Sequence, residues 1–314
     1  MEFNYGKFSA PVNTLIASAL SLMLVFLSGT VLSLFQLFLI FPFTVLWVYE
    51  GWRWTFLGYL ITGGISSLIF NPASAIVSMT FIVILSMVMG TLIERRALPF
   101  HELMIPALVY MTLAIVTLWV GQKSGSVDLG ELFREAMKAG LQGALDTGKT
   151  GPQAELALRN AIDQAERLVP SILFLMGLVT ALITSAVSRA MLSATGEDTA
   201  PFHLSFFEIP AAAGRVIIFS AIIGWGCAKF LGPQYQALGE NLFFGSFWIF
   251  TLDGLAVMDT RLKGRMGKFS RIFLYLLLLL FFLSLLALFV VGMIDFFIRF
   301  RSRSQGGNHD PSEK

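Results

Sequence analysis

IFLYLLLLLFFLSLLALFVVGMIDFFI, residues 272–298, carries one charged side chain, Asp295, in 27 positions. The run is longer than the roughly 20 residues a helix needs to cross a bilayer. At a rise of about 1.5 Å per residue it is too short to cross twice. It does not alternate apolar with polar positions, so it does not read as a strand of a lipid-embedded barrel. A backbone in hydrocarbon must satisfy its own N–H and C=O groups, and an isolated apolar run does so only as an α-helix. The reading is a transmembrane helix and an all-α chain.

Working outward, similar runs fall at about 11–29, 31–48, 54–70, 73–92, 103–121, 168–192, 212–231 and 241–258. With 272–298 they predict a polytopic transmembrane helical bundle of about nine spans. Composition points the same way. The chain is 56% hydrophobic and 13% charged over 314 residues, whereas a soluble domain is about a quarter charged. One soluble core could not hide that apolar excess, so it faces lipid, the first expected partner. The 30 Phe suit that setting, and the net charge of +2 gives no reason to expect a nucleic-acid partner. Cys227 is the single cysteine; it cannot form an internal disulfide and is expected to pack as a small hydrophobe.

Lys7 before the apolar stretch Val12–Leu27 superficially resembles a secretory signal. No small-x-small cleavage site follows, and the run continues past Gly29 to Val48. The expectation is a retained helical hairpin turning near Gly29 and Thr30. Basic residues in short loops mark the cytoplasmic side. Lys7, Arg53, Arg95 with Arg96, and the loop Arg261, Lys263, Arg265, Lys268 and Arg271 all fall on one side of a nine-span count. That predicts an inner (cytoplasmic) membrane protein with a cytoplasmic N-terminus. Arg299, Arg301 and Arg303 conflict with it, because the same count leaves them outside.

The longest stretch between spans, 122–167, is expected outside the cell. Leu129, Leu132, Phe133, Ala136, Met137 and Leu141 recur at helical spacing, and Leu156, Leu158, Ile162 and Ala165 form a weaker stripe. Two amphipathic surface helices account for this, either as a packed cap or as a lid. Gly143 to Thr150 fits G-x-x-x-x-G-K-[ST]. A helical stripe leads in where a phosphate loop needs a strand, so the match is read as a turn.

Enzymatic constellations are lacking. His101, His203 and His309 form no H-E-x-x-H or Cys/His set, and no G-x-S-x-G or dinucleotide fingerprint occurs. The chain is not read as an enzyme, and no catalytic residue, cofactor or metal is expected. Charge inside the membrane is the stronger clue, because burying it there is costly. Asp253, in Trp248-Ile-Phe-Thr-Leu-Asp253-Gly, is the candidate proton or substrate contact; a structural hydrogen bond to a neighbouring helix competes with that role. Asp259, Asp295, Glu208, Arg189 and Arg215 lie near span ends and read as interface anchors. Gly58, Gly63 and Gly64 are candidate pathway-lining positions, with close helix packing as the alternative.

Four short motifs occur in order: Glu50-Gly-Trp-Arg53, the hydrophilic insert before the sixth span, Asp253-Gly-Leu-Ala-Val-Met-Asp259, and Gly292-Met-Ile-Asp295-Phe-Phe-Ile-Arg299. In this order the chain resembles the YybS-like family of predicted bacterial membrane proteins of unknown function. That family is distantly similar to the substrate-capture subunits of energy-coupling-factor transporters and to the rod-shape protein MreD. The resemblance implies a six-span capture domain over 1–192, with insert 122–167, a three-span region over 193–298 and a disordered polar tail over 299–314. Capture subunits commonly dock through spaced alanines in the first helix; here Ala17 is followed by Ser21.

The leading functional expectation is transporter-like binding or permeation of a small molecule, without an ATPase of its own. The alternative is a non-transporting scaffold of envelope or cell-shape machinery, binding protein partners through the basic loop Arg261–Arg271.

Overall fold

The computed structural model describes residues 8–30, 37–69, 72–123, 160, 163–197 and 199–299. Among them the regular structure is helical and no strand occurs; an isolated bridge joins Lys263 and Met266. The helices are α1 (Ala10–Thr30), α2 (Phe41–Glu50), α3 (Trp52–Ile69), α4 (Pro72–Glu94), α5 (Pro99–Lys123), α6 (Val169–Ala194), α7 (Ala211–Phe230), α8 (Pro233–Leu262), α9 (Lys268–Leu280) and α10 (Phe282–Ile298), with a 3-10 turn at Leu204–Phe206. The stripe at 129–141, the 143–150 match, most of 151–162 and the tail beyond Arg299 lie outside the described residues.

Six helices, α1 and α4 to α8, are each long and apolar enough to cross a membrane, and α9 with α10 makes a seventh if that bent pair is one span. The remaining two expected spans, 31–48 and 54–70, correspond to α2 and α3. α1 continues through Thr30, so no turn falls at Gly29 where one was expected; 31–36 lie outside the described residues. The chain at 37–40 is a 3-10 turn and bend, and α2 begins only at Phe41. Its 10 residues cover about 15 Å, half of a hydrocarbon core of about 30 Å. α3 carries Arg53 and a row of Gly, Ser and Thr, which lowers its apolarity.

The chain divides into two compact units, Met1–Ala97 with Glu102–Pro201, and Leu98–His101 with Phe202–Lys314. In the first, α1 and α3 run parallel, with Ser18 donating to the Gly58 carbonyl at 3.3 Å. α2 runs against α1: Asn13 donates to Glu50 at 2.7 Å, while Leu24 packs with Phe41 and Val45. Gly51 turns the chain between α2 and α3 at φ +76°, where a side chain would be strained. α4 returns along α3, Tyr59 meeting Ser86, and α5 and α6 pack antiparallel, Gly177 lying against Ala107. One end of this unit therefore gathers the start of α1, the Gly51 turn with Arg53, the Arg95–Arg96 turn, Glu102 of α5 and the end of α6.

In the second unit, α8 packs against α7 on one side and α10 on the other. Gly224 meets Gly239 so closely that a Cβ on Gly224 would come within 2.6 Å of the Gly239 carbonyl. Gly254 lies against Leu288 and Gly292 against Phe250, so α8 and α10 are antiparallel with their backbones almost touching. Small residues permit that approach where no hydrophobic effect drives helices together. The run 272–298 differs from the single straight span expected of it. It breaks at Phe281, which is extended at φ −103° and ψ 125°, and bends by 107°. Arg271 and Tyr275 tie α9 to Asp259 on α8. Ser284 donates to the Leu278 and Phe281 carbonyls at 2.7 and 2.8 Å, satisfying groups that the break releases.

Candidate functional site

A cavity of about 510 Å³ lies inside the first unit where α2 falls short. Its walls come from α1, the 37–40 bend, α4, α5 and α6, and its polar atoms are hydroxyls: Ser78, Tyr110, Thr117 and Thr180. The remaining lining is apolar, including Ile40, Phe81 and Ala114, and none of the lining residues is charged. No side chain caps the first turn of α2, and Pro42 occupies its start, a position where proline's missing N–H is tolerated.

Ile40, Leu85, Tyr110 and Thr180 also border a second, far smaller chamber with Pro106, Gly177 and Thr184. The two spaces share one wall. Thr184 is fully buried, and its hydroxyl makes no hydrogen bond among the described residues. A buried hydroxyl in that state costs about 1–3 kcal/mol unless something enters to pair it. Pro106 lacks an N–H, so the Glu102 carbonyl one turn earlier loses its helical donor.

Glu102 and Arg189, the latter expected as an interface anchor, form a buried ion pair. Arg189 Nε donates to Glu102 Oε1 at 2.9 Å and Nη2 to Oε2 at 2.6 Å. Ser185 donates a further bond to Glu102, and Arg189 Nη1 reaches the Ala200 carbonyl at 3.1 Å. Glu102 is fully buried and Arg189 nearly so. The acid sits in the first turn of α5, where it complements the helix dipole, and the base lies on α6 more than a turn before its end. His101 is exposed beside them and stacks edge-on against Phe100. The available signal was topological: two antiparallel neighbours carry opposite charges near the same end.

The other sequence candidates separate. Gly58 is a packing position, since a Cβ there would come within 2.8 Å of Phe43. Gly63 and Gly64 border a different groove of about 650 Å³ between α3 and α4, with Tyr59, Ser67 and Thr80. Asp253 belongs to the second unit, on α8, and is 1% exposed. Asp259, in the same helix, accepts from the Ser205 amide at 3.1 Å and from Arg271 and the Tyr275 hydroxyl, both at 2.5 Å. Asp295 is buried in α10. Cys227 is partly buried in α7.

Among the described residues, no group of three or more His, Cys, Asp or Glu could hold a metal ion. The described residues enclose neutral, mostly apolar spaces with a few hydroxyls, chiefly the cavity ahead of α2 and the groove between α3 and α4, and two buried charge clusters. The clusters fix helix ends. The chamber and the groove between α3 and α4 are the parts with room for a ligand.

No curated protein and no solved structure matches the chain. The profile of the family described as predicted membrane protein (DUF2232) matches residues 15–296, and the chain belongs to that family.

Proposed function

We propose that this integral membrane protein binds a neutral small molecule in the cavity ahead of α2, as the capture step of transporter-like uptake or permeation. The observation that carries this is the 510 Å³ space beside the irregular 37–40 segment that precedes α2. Small-molecule pockets usually fall between about 300 and 1,000 Å³, mostly apolar with a few placed polar groups. Transporters also favour broken helices around their binding sites, because irregular backbone is tolerated in a membrane only where it lines a cavity. Hydroxyls without charges suit a neutral ligand such as an uncharged vitamin or nucleobase.

In this reading α2 and α3 complete the crossings and the bundle has nine spans. The end of the first unit that carries Arg53, Arg95 and Arg96 faces the cytoplasm of a bacterial inner membrane, and the start of α1 lies there too. Energy would come from a partner or an ion gradient. The scaffold alternative draws on the basic loop, where Arg271 is already held by Asp259 and Lys263 lies 5.2 Å over the Phe206 ring.

The test is a thermal-shift screen of the detergent-purified protein against vitamins, nucleobases and amino acids, repeated on Ala114→Trp, which fills the cavity. A ligand specific to the folded state adds about 2.7 kcal/mol of stability at a hundredfold excess over its Kd. The expected outcome is a saturable shift in the native chain that the variant loses while keeping its own unfolding transition. An equal shift in both, or none from any compound, counts against the proposal.

A further inference from the structure

α9 has an orientation that the membrane setting makes informative. α8 and α10 are antiparallel, with Gly254 opposite Leu288 and Gly292 opposite Phe250. Continuing that register, the start of α10 comes level with the end of α8. The other end of α9 is held at the same level, because Arg271 and Tyr275 both bond to Asp259 near the α8 terminus. α9 turns 107° from α10. Helix α8 is one of the six able to cross the membrane, so an element lying across its end runs in the plane of the bilayer surface.

The faces of α9 suit that plane. Arg271 and Tyr275 mark the edge turned to α8, while Phe273, Leu276 and Leu280 are 69%, 62% and 80% exposed. A groove of about 430 Å³ beside them is lined by Met266, Ser270, Phe273, Leu274 and Leu277. Such large exposed apolar side chains need a nonaqueous partner. Arg261, in the last turn of α8, and Arg265, in the loop that joins α8 to α9, are exposed as well. An apolar face flanked by cations complements the headgroup–acyl boundary of an anionic leaflet.

We propose that α9 is an in-plane anchor that seats Phe273, Leu276 and Leu280 in the headgroup–acyl boundary and gathers anionic phospholipid around Arg261 and Arg265. Asp259 is the clasp that sets its angle. The 272–298 run then holds one surface helix and one crossing helix, α10, of 17 residues.

The test places a fluorophore on single cysteines at Phe273, Leu276 and Leu280 in a Cys227→Ser background, in nanodiscs of phosphatidylcholine and phosphatidylglycerol. Lipids carrying a quencher at acyl carbon 5 or 16 report depth. The expected result is stronger quenching by the carbon-5 probe at all three positions. Depth increasing steadily from 273 to 280 would mean that α9 descends as half of a broken span, and would overturn the proposal. So would an absence of quenching by either lipid. In mixed nanodiscs, retention of phosphatidylglycerol, read by native mass spectrometry, falls about fivefold for each cation removed in Arg261→Gln and Arg265→Gln. Unchanged retention would refute the anionic preference.

Discussion

Glu102 and Arg189 show what a buried charge does here when it is not a ligand site. Each satisfies the other in two hydrogen bonds, with Ser185 and the Ala200 carbonyl completing the set. Removing one partner leaves the other ionised without compensation. Glu102→Ala is therefore expected to cost about 3–5 kcal/mol, measured by thermal unfolding in detergent. Replacing both, as Glu102→Leu with Arg189→Met, should recover most of that loss; a double variant as unstable as the single one would contradict the account. Little of this pairing was legible in the sequence. Glu102 stands beside His101, which draws attention to the wrong neighbour, and its partner is 87 positions away in chain order. Asp253 was legible as a charge within an apolar run, and its burial agrees with that placement. Thr184 gave no signal, because threonine is common in membrane helices and its lack of a partner depends on what the surrounding helices leave open.

At the level of elements, long apolar runs were easy to find and their interruptions were not. Hydropathy does not register the bend before Phe41, since Leu37, Phe38, Leu39 and Ile40 are as apolar as any helical stretch. The break at Phe281 left one trace, Ser284, the hydroxyl that caps it. Close contact between α8 and α10 was foreshadowed only by Gly254 and Gly292, which looked like ordinary helix glycines. They permit opposite predictions from similar substitutions. Gly292→Val would bring a side chain onto the Phe250 carbonyl, which a Cβ there would approach to 2.0 Å, and should destabilise by about 1–3 kcal/mol. Gly226→Ala meets nothing within 4 Å and should stabilise α7 by up to about 1 kcal/mol. Unfolding curves of the two variants check this, and a similar loss in both would remove the close-approach explanation.

For the whole molecule, the class of protein follows from composition and run length, and the family match agrees with it. Its sidedness rests on where the basic turns gather. Arg95 lies at the end of the first unit that holds the α1 start and the Gly51 turn, and Lys123 ends α5 at the opposite end. Cysteines at these two positions, in a Cys227→Ser background, should differ in intact cells. Lys123→Cys is expected to react with an impermeant maleimide, and Arg95→Cys only after permeabilisation. The reverse pattern would invert the protein.

The central claim is that the space ahead of α2 is a chamber that small polar molecules can reach, and not a gap filled by lipid. The most direct measurement compares Thr117→Cys, which faces the chamber, with Ile115→Cys, exposed on the outer side of the same helix. A charged methanethiosulfonate reagent is applied to the reconstituted protein. The thiolate is the reactive form, and hydrocarbon suppresses it. Rapid modification at 117 with none at 115 is the predicted result. Equal silence at both positions would show a lipid-filled space and contradict the account.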